Sequence, residues 1–126
     1  MHENEISERV IGCAIQVHKA LGPGLLESVY EECMAAEMDA VGLRHERQRP
    51  VPVIYRTVKL DCGYRVDFLV EGKVVVDLKA IELVPPVMYS QVLTYARLLD
   101  KRLGLLINFH VERLINGVRR VVNNLQ

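Results

Sequence analysis

Two predicted strands in the middle of the chain, residues 62–70 and 73–79, each carry an aspartate inside an otherwise apolar run. A buried carboxylate is costly unless a partner compensates its charge, so Asp67 and Asp77 require an explanation. A divalent metal ion bound by both carboxylates is one explanation. Lys79 lies two residues after Asp77, on the same face of the strand, where its ammonium group could bind an anionic substrate. The pattern therefore indicates an enzyme site in this hairpin.

The loop between the strands decides whether the two aspartates share a face of the sheet. A two-residue turn at Glu71 and Gly72, which the glycine favours, places Asp67 opposite Val76 and directs Asp77 to the other face. A three-residue loop centred on Gly72 places the two aspartates directly opposite each other.

Hydrophobic alternation favours the three-residue loop, because only this register sets one apolar row against another. The rows are Tyr64, Val66, Phe68 and Val70 in the first strand and Val74, Val76 and Leu78 in the second. Burying several apolar side chains, at about 1.5–3 kcal/mol each, outweighs the turn preference. We therefore expect Asp67, Asp77 and Lys79 on one polar face.

Two facing carboxylates about 5 Å apart repel each other unless a cation lies between them. Mg²⁺ suits such a pair, because it takes one or two carboxylates and completes its shell with water and phosphate oxygens; Mn²⁺ is a second candidate. Lys79 would then activate water or stabilise charge on a phosphate. The other interpretation is a solvated strand face on which Lys79 only pairs with the aspartates, and the hairpin alone leaves both open.

Helical and extended periodicities predict the elements around the hairpin. Apolar spacing of three and four residues predicts helices over 5–21, 25–41 and 87–99. Period-two alternation begins at residue 43, two prolines near residue 51 suggest an edge strand, and residues 56–59 are expected to form a turn. A buried strand is predicted over 103–109, a helical turn over 110–116, and a short strand or helix over 117–122. This order predicts one domain, residues 1–126, of the α/β (α+β) class with a mixed sheet.

Charge and composition narrow the possible functions. The 16 basic and 16 acidic residues give a formal net charge of zero, so a nucleic-acid interface would require a local basic patch. Arg47 and Arg49 could form such a phosphate-contacting strip on one side of an extended segment, or they could protect an edge strand by charge. We expect a cytoplasmic protein, because there is no signal peptide and the three cysteines lie far apart in no metal-type spacing. We expect it not to enter a membrane, because there is no long apolar run.

Residues 24–30 read Gly-Leu-Leu-Glu-Ser-Val-Tyr, a GxxExxY motif. Further matching positions are His18, Leu-Gly-Pro at 21–23, Asp67, Asp-Leu-Lys at 77–79, Gln91 and Leu-Ile-Asn-Phe at 106–109. With these positions almost the whole chain closely resembles the GxxExxY protein family, which is assigned to the PD-(D/E)xK nuclease superfamily. The resemblance implies the restriction-endonuclease-like fold, a three-layer sandwich in which helices flank a mixed sheet.

The resemblance also implies roles for individual residues. Glu27 matches the helix-borne acid that binds or supports the metal, and Asp67 matches the first strand acid, with Val66 in place of the usual proline. Asp77 and Lys79 match the (D/E)xK pair. Gln91 and Tyr95 resemble the QxxxY motif of some nuclease branches, which helps to position DNA.

Two further residues are candidates for substrate positioning. Tyr30 lies on the same helical face as Glu27. His18 is either a substrate contact or a side chain that interacts with the dipole at its helix C-terminus, and the sequence leaves both open.

Together these observations predict a nuclease that hydrolyses phosphodiester bonds in nucleic acid, with DNA as the expected substrate. The expected metal ligands are Asp67, Asp77 and Glu27. The alternative is a catalytically inactive module of the same fold that binds nucleic acid or a protein partner. A third interpretation is a structural subunit whose polar face is filled by internal salt bridges. Because a chain of this size offers little surface for target recognition, a homodimer or a protein partner is also expected.

Overall fold

The computed structural model describes residues 1–126 as three α-helices, seven β-strands and one short 3₁₀ helix. In chain order these are α1 (Glu3–Leu21), α2 (Glu27–Ala40), β1 (His45–Pro50), β2 (Val53–Tyr55), β3 (Val58–Leu60), β4 (Arg65–Val70), β5 (Val74–Lys79), α3 (Pro86–Leu98), β6 (Leu103–Asn108), the 3₁₀ helix (Leu114–Gly117) and β7 (Val118–Val122). None of the helices is long and apolar enough to cross a membrane.

Five strands form the main sheet in the order β1-β4-β5-β6-β7. Only β5 and β6 run parallel, and helix α3 makes the crossover between them. Every residue of β6 is buried, as expected for a strand covered on both faces. The sheet is therefore mixed, as the order of predicted elements indicated.

Helices cover both faces of this sheet. α1 and α2 pack on one face over the larger core, against the alternating residues Val74, Val76 and Leu78 of β5. α3 packs on the other face, where Tyr95 and Ala96 meet Val75 and Leu69. The predicted α/β sandwich of three layers is confirmed, and this arrangement is consistent with the restriction-endonuclease-like fold.

The hairpin between β4 and β5 has the register that hydrophobic alternation predicts. Val70 pairs with Val74 and Phe68 pairs with Val76, so the loop contains the three residues from Glu71 to Lys73. Glu71 and Gly72 both have positive φ, 52° and 66°, and the amide of Lys73 donates to the carbonyl of Val70 at 3.0 Å. The left-handed pair thus forms a tight turn, and one extra residue restores the apolar register.

The segment before the hairpin differs from its prediction. β1 (His45–Pro50), and not the stretch after Pro50, forms one edge of the main sheet, and β7 forms the other. β2 and β3 form a separate two-stranded sheet, so the predicted turn over 56–59 is wrong in its second half. Val51, which follows β1, is buried in the core under α3, and β2 begins two residues later.

Helix α2 also buries a different face from the one predicted. The sequence suggested that Leu26 and Val29 face the core, but Leu26 is 74% exposed and Val29 37%. The buried residues are instead Tyr30, Met34, Ala35 and Met38. α2 has two adjacent apolar stripes, and the one with the larger side chains is buried.

Candidate active site

The candidate site forms where β4 and β5 stop pairing. The last residue pair of the β4–β5 ladder is Phe68 and Val76. Beyond it, the side chain of Asp67, and not the main chain of β4, accepts the next hydrogen bond from β5. Its Oδ2 accepts the backbone amide of Leu78 at 2.7 Å. The carboxylate of Asp67 is therefore held in the gap between two splayed strands.

Strand alternation breaks at the same point. Phe68 packs on the α1/α2 side of the sheet, whereas Val66 packs with Val75 and Tyr95 on the α3 side. The prediction that Val66 and Phe68 share a face is therefore wrong. On the neighbouring strand Gln48 lies opposite Asp67 without pairing and has φ of 50°, so both strands change face together and direct the Asp67 side chain towards β5.

Asp77 and Lys79 occupy one face of β5 and form an ion pair. Lys79 Nζ lies 3.3 Å from Asp77 Oδ2, and Asp77 is only 6% exposed. The solvated face considered from the sequence is therefore wrong, although the ion pair that it proposed is present.

The two aspartates lie close enough to perturb each other. The pKa of Asp67 is raised to about 7, chiefly by burial. The charge of Asp77 and a hydrogen bond with it also raise this pKa, whereas the hydrogen bonds from Leu78 and Gln48 lower it. The site therefore holds a proton near neutral pH in place of a second full negative charge.

Lys79 responds to the same charges in the opposite direction. Burial lowers its pKa, but Asp77, Glu27 and Asp67 together raise it above its ordinary value. Lys79 is thus held as a cation at neutral pH.

Glu27, the first residue of α2, lies at the rim of the site. Its pKa is raised by burial and by the charges of Asp67 and Glu31, against the opposing effect of Lys79. No group of three or more His, Cys, Asp or Glu side chains is arranged to hold a metal ion. The predicted ligand set of Asp67, Asp77 and Glu27 therefore stays a prediction.

Gln48 is a part of the site that the sequence did not reveal. Its Nε2 donates to Asp67 Oδ1 at 3.2 Å and also to Glu31 Oε1. A glutamine in a short polar strand carries no sequence signal for this role, because the contact depends on the left-handed backbone at this residue.

Asn108 is a second residue with an unpredicted role, although it lies in a matched motif. It is buried, its Nδ2 donates to the carbonyl of Ile81 at 2.8 Å, and its Oδ1 accepts the amide of Ile81 at 3.2 Å. β6 thereby fixes the chain just after Lys79.

The two predicted phosphate-contacting arginines do not form a basic strip. Arg47 binds Glu31 at 2.8 Å and Glu32 at 2.7 Å, whereas Arg49 pairs with Glu46 at 2.9 Å. Because Glu46 and Arg47 are adjacent and point to opposite faces, Arg49 lies on the face away from Arg47. The change of face at Gln48 separates them, and acidic partners neutralise both.

Tyr30 and His18 are both buried and hydrogen-bonded to the main chain, and their role in substrate positioning stays a prediction. Tyr30 is fully buried and stacks on Phe109 at 4.4 Å. Its hydroxyl donates to the carbonyl of Gly22 at 2.6 Å and accepts the amide of Leu25 at 3.2 Å. His18 is 9% exposed, and its Nε2 lies 2.7 Å from the carbonyl of Val111. Tyr30 fixes the loop that leads to Glu27, which gives a physical reason for the spacing of the GxxExxY motif.

Gln91 and Tyr95 lie one helical turn apart on α3, and Tyr95 packs in one core cluster with Val66 and Val75. Tyr95 is buried, and burial together with the charge of Asp77 raises its pKa. Gln91 is exposed and lines the same groove as Tyr95.

The donor set fits a hard divalent cation. Once Asp67 is deprotonated, two adjacent carboxylates are the kind of ligand that Mg²⁺ uses in proteins, and the remaining coordination positions go to water and phosphate oxygens. Asp67 is held in place by hydrogen bonds from Leu78 and Gln48, and Asp77 by its ion pair with Lys79.

Comparison with known sequences agrees with this geometry. A family model described as the PD-(D/E)XK nuclease superfamily matches residues 4–121. Searches of curated proteins and of solved structures gave no match.

Proposed function

Because the chain belongs to the PD-(D/E)XK nuclease superfamily, we propose that it is a Mg²⁺-dependent nuclease that hydrolyses phosphodiester bonds in DNA. Superfamily membership supports a nuclease-type function, and the site supplies the chemistry. The observation that carries the proposal is the meeting of Asp67, Asp77 and Lys79 in the gap between β4 and β5.

Asp67 and Asp77 would hold the cation. A bound Mg²⁺ ion supplies charge neutralisation and polarisation at the scissile phosphate. Asp67 must lose its proton before it can act as a ligand. The hydrogen bonds from Leu78 and Gln48 would keep its carboxylate in place during that change.

Lys79 would stabilise charge on the phosphate. Its raised pKa keeps the amine protonated at neutral pH, which leaves it unable to accept a proton from water. An ammonium group that is fixed in a largely buried position stabilises developing negative charge well. We therefore prefer charge stabilisation over proton abstraction for this residue.

Glu27 would act from the rim of the site. Its position next to Lys79 and Asp67 suits orientation of a water molecule, and its raised pKa suits proton exchange with that water. Gln91 and Tyr95, on the α3 side, would position the substrate.

The test is a cleavage assay on single-stranded, duplex and branched DNA and on RNA, with Mg²⁺ or Mn²⁺. We expect cleavage of DNA by the wild type, and a loss of about 10²–10³-fold in Lys79→Ala. Lys19→Ala is the matched control, because Lys19 is exposed on α1, and it should cleave like the wild type.

Two outcomes would contradict the proposal. Binding of nucleic acid without cleavage in either metal would favour the inactive binding module. Cleavage of RNA alone would contradict DNA as the substrate.

A further inference from the structure

A second surface next to the aspartates has no assigned role. It is a groove between α3 and the segment that leads into β4, and its walls include Tyr64, Tyr95, Val53, Val87, Leu98 and Gln91. We call it the tyrosine groove. Its volume of about 450 Å³ lies within the range of about 300–1,000 Å³ that is usual for small-ligand pockets.

Tyr64 is an exposed aromatic side chain on a fixed backbone. Tyr64 is 47% exposed, and its ring centroid lies 6.0 Å from that of Tyr95. Its carbonyl accepts the amide of Val51 at 2.8 Å. Just before it, Gly63 has φ of 75°, and its amide donates to Asp61 Oδ1 at 3.2 Å. The chain thus presents this ring at the mouth of the groove although Tyr64 lies outside any strand.

The tyrosine groove lies beside the candidate active site. Tyr95 forms part of its wall and packs in one core cluster with Val66 and Val75. Val66 directly precedes Asp67, and Val75 lies two residues before Asp77 on the same face of β5. A nucleotide next to a phosphate held at Asp67 and Asp77 would therefore reach the groove.

The lining indicates which part of a nucleotide it accepts. The groove combines an exposed aromatic face with aliphatic walls, and it adds the amide of Gln91, which can donate to and accept from a base edge. These are the features of sites that stack and read unpaired bases. Ser90 and Thr94 complete the lining, which includes no lysine or arginine to bind a phosphate.

We propose that an unpaired nucleobase adjacent to the scissile phosphate stacks on Tyr64 in the tyrosine groove, so that the enzyme prefers single-stranded or locally unpaired substrates. This inference depends on the proposed nuclease function. It requires an unpaired base, because a paired base stacks on its neighbours in the duplex and cannot offer its face to a protein side chain.

The experiment uses short single-stranded oligonucleotides with 2-aminopurine at successive positions. Stacking quenches the fluorescence of this base, and stopped-flow mixing with the protein and Mg²⁺ records binding before cleavage. The wild type should quench strongly at one position next to the cleaved bond. Tyr64→Ala should abolish that quench and raise the Kd about 5- to 150-fold, whereas Tyr64→Phe should keep both.

Tyr55→Ala is the matched control, because Tyr55 is 66% exposed on β2 and does not line the groove. It should bind like the wild type, and Tyr64→Ala should change binding to a duplex by less than about twofold. Equal loss in both tyrosine variants, or an unchanged Kd and quench in Tyr64→Ala, would overturn the inference while leaving the nuclease proposal intact. If the wild type neither binds nor cleaves any oligonucleotide, the proposed function itself fails.

Discussion

Replacing Asp67 with asparagine is expected to stabilise the metal-free protein at pH 8 and to have much less effect at pH 5. The folded-state pKa of Asp67 is about 7, compared with an ordinary value of 3.8. Between pH 3.8 and about pH 7 the folded state binds more protons than the unfolded state, so the free energy of unfolding falls as pH rises through this range. The loss of stability caused by ionising Asp67 is complete above about pH 7. Asparagine does not ionise and therefore causes no such loss.

The pKa difference sets the size of the effect. At about 1.36 kcal/mol per pH unit, a rise from 3.8 to about 7 corresponds to about 4 kcal/mol as an upper limit. Asp67 is only partly buried, and its proton is shared with Asp77, so solvent screening and coupling reduce this value. In Asp67→Asn the amide oxygen of the new side chain remains an acceptor for Leu78, and Gln48 keeps its bond to Glu31. We therefore expect a gain of about 1–2 kcal/mol at pH 8.

Urea denaturation with a chelator present, at pH 5 and pH 8, measures this effect. Asp61→Asn is the matched control, because Asp61 is exposed and its one hydrogen bond, from the amide of Gly63, can be accepted by asparagine. Excess Mg²⁺ should reverse the order at pH 8, since only the wild type gains stability from the bound metal. An Asp67→Asn protein that is less stable than the wild type at pH 8, or equally shifted at both pH values, would refute the reasoning.

Three further predictions concern the metal and the residues around it. The affinity of the wild type for Mg²⁺, measured by calorimetry, should rise with pH up to about pH 7, and binding should release a proton. The reason is that the raised pKa of Asp67 makes the proton compete with the metal. An affinity that is independent of pH would contradict this prediction. Gln48→Ala should slow cleavage about tenfold, because Asp67 loses a hydrogen-bond donor. Gln48→Gly should slow cleavage equally but be more stable than Gln48→Ala, because glycine accepts the φ of 50° at this residue. Full activity in both variants would exclude a positioning role for Gln48. Tyr30→Phe should lower the free energy of unfolding by about 1–2 kcal/mol, measured by thermal denaturation, because the carbonyl of Gly22 loses its hydrogen-bond donor. An unchanged melting temperature would show that this hydrogen bond is not needed.

The hairpin register could be predicted from the sequence because one error there has a large energetic consequence. A one-residue slip would move Val70, Val74 and Val76 out of the core, so hydrophobic alternation alone identifies the pairing that the structure has. The mixed sheet and its helical layers follow in the same way from long periodic segments.

The details that shape the site could not be predicted. Strand alternation fails at Gln48 and Asp67 because a left-handed glutamine and a side-chain-to-amide bond replace a ladder pair, and both depend on tertiary packing. The buried face of α2 was misplaced because Tyr30 and Met34 compete with an adjacent apolar stripe. Matching Tyr30 to a motif could not show that its hydroxyl fixes a loop.

The most direct test of the central claim is the rate at which the purified protein cleaves end-labelled DNA in Mg²⁺ and in chelator, compared with Asp77→Asn. We predict cleavage only by the wild type with metal, and a rate at least about 100-fold lower in the variant. Equal rates in wild type and Asp77→Asn, or no cleavage by the wild type in Mg²⁺ or Mn²⁺, would contradict a nuclease site built on Asp67, Asp77 and Lys79.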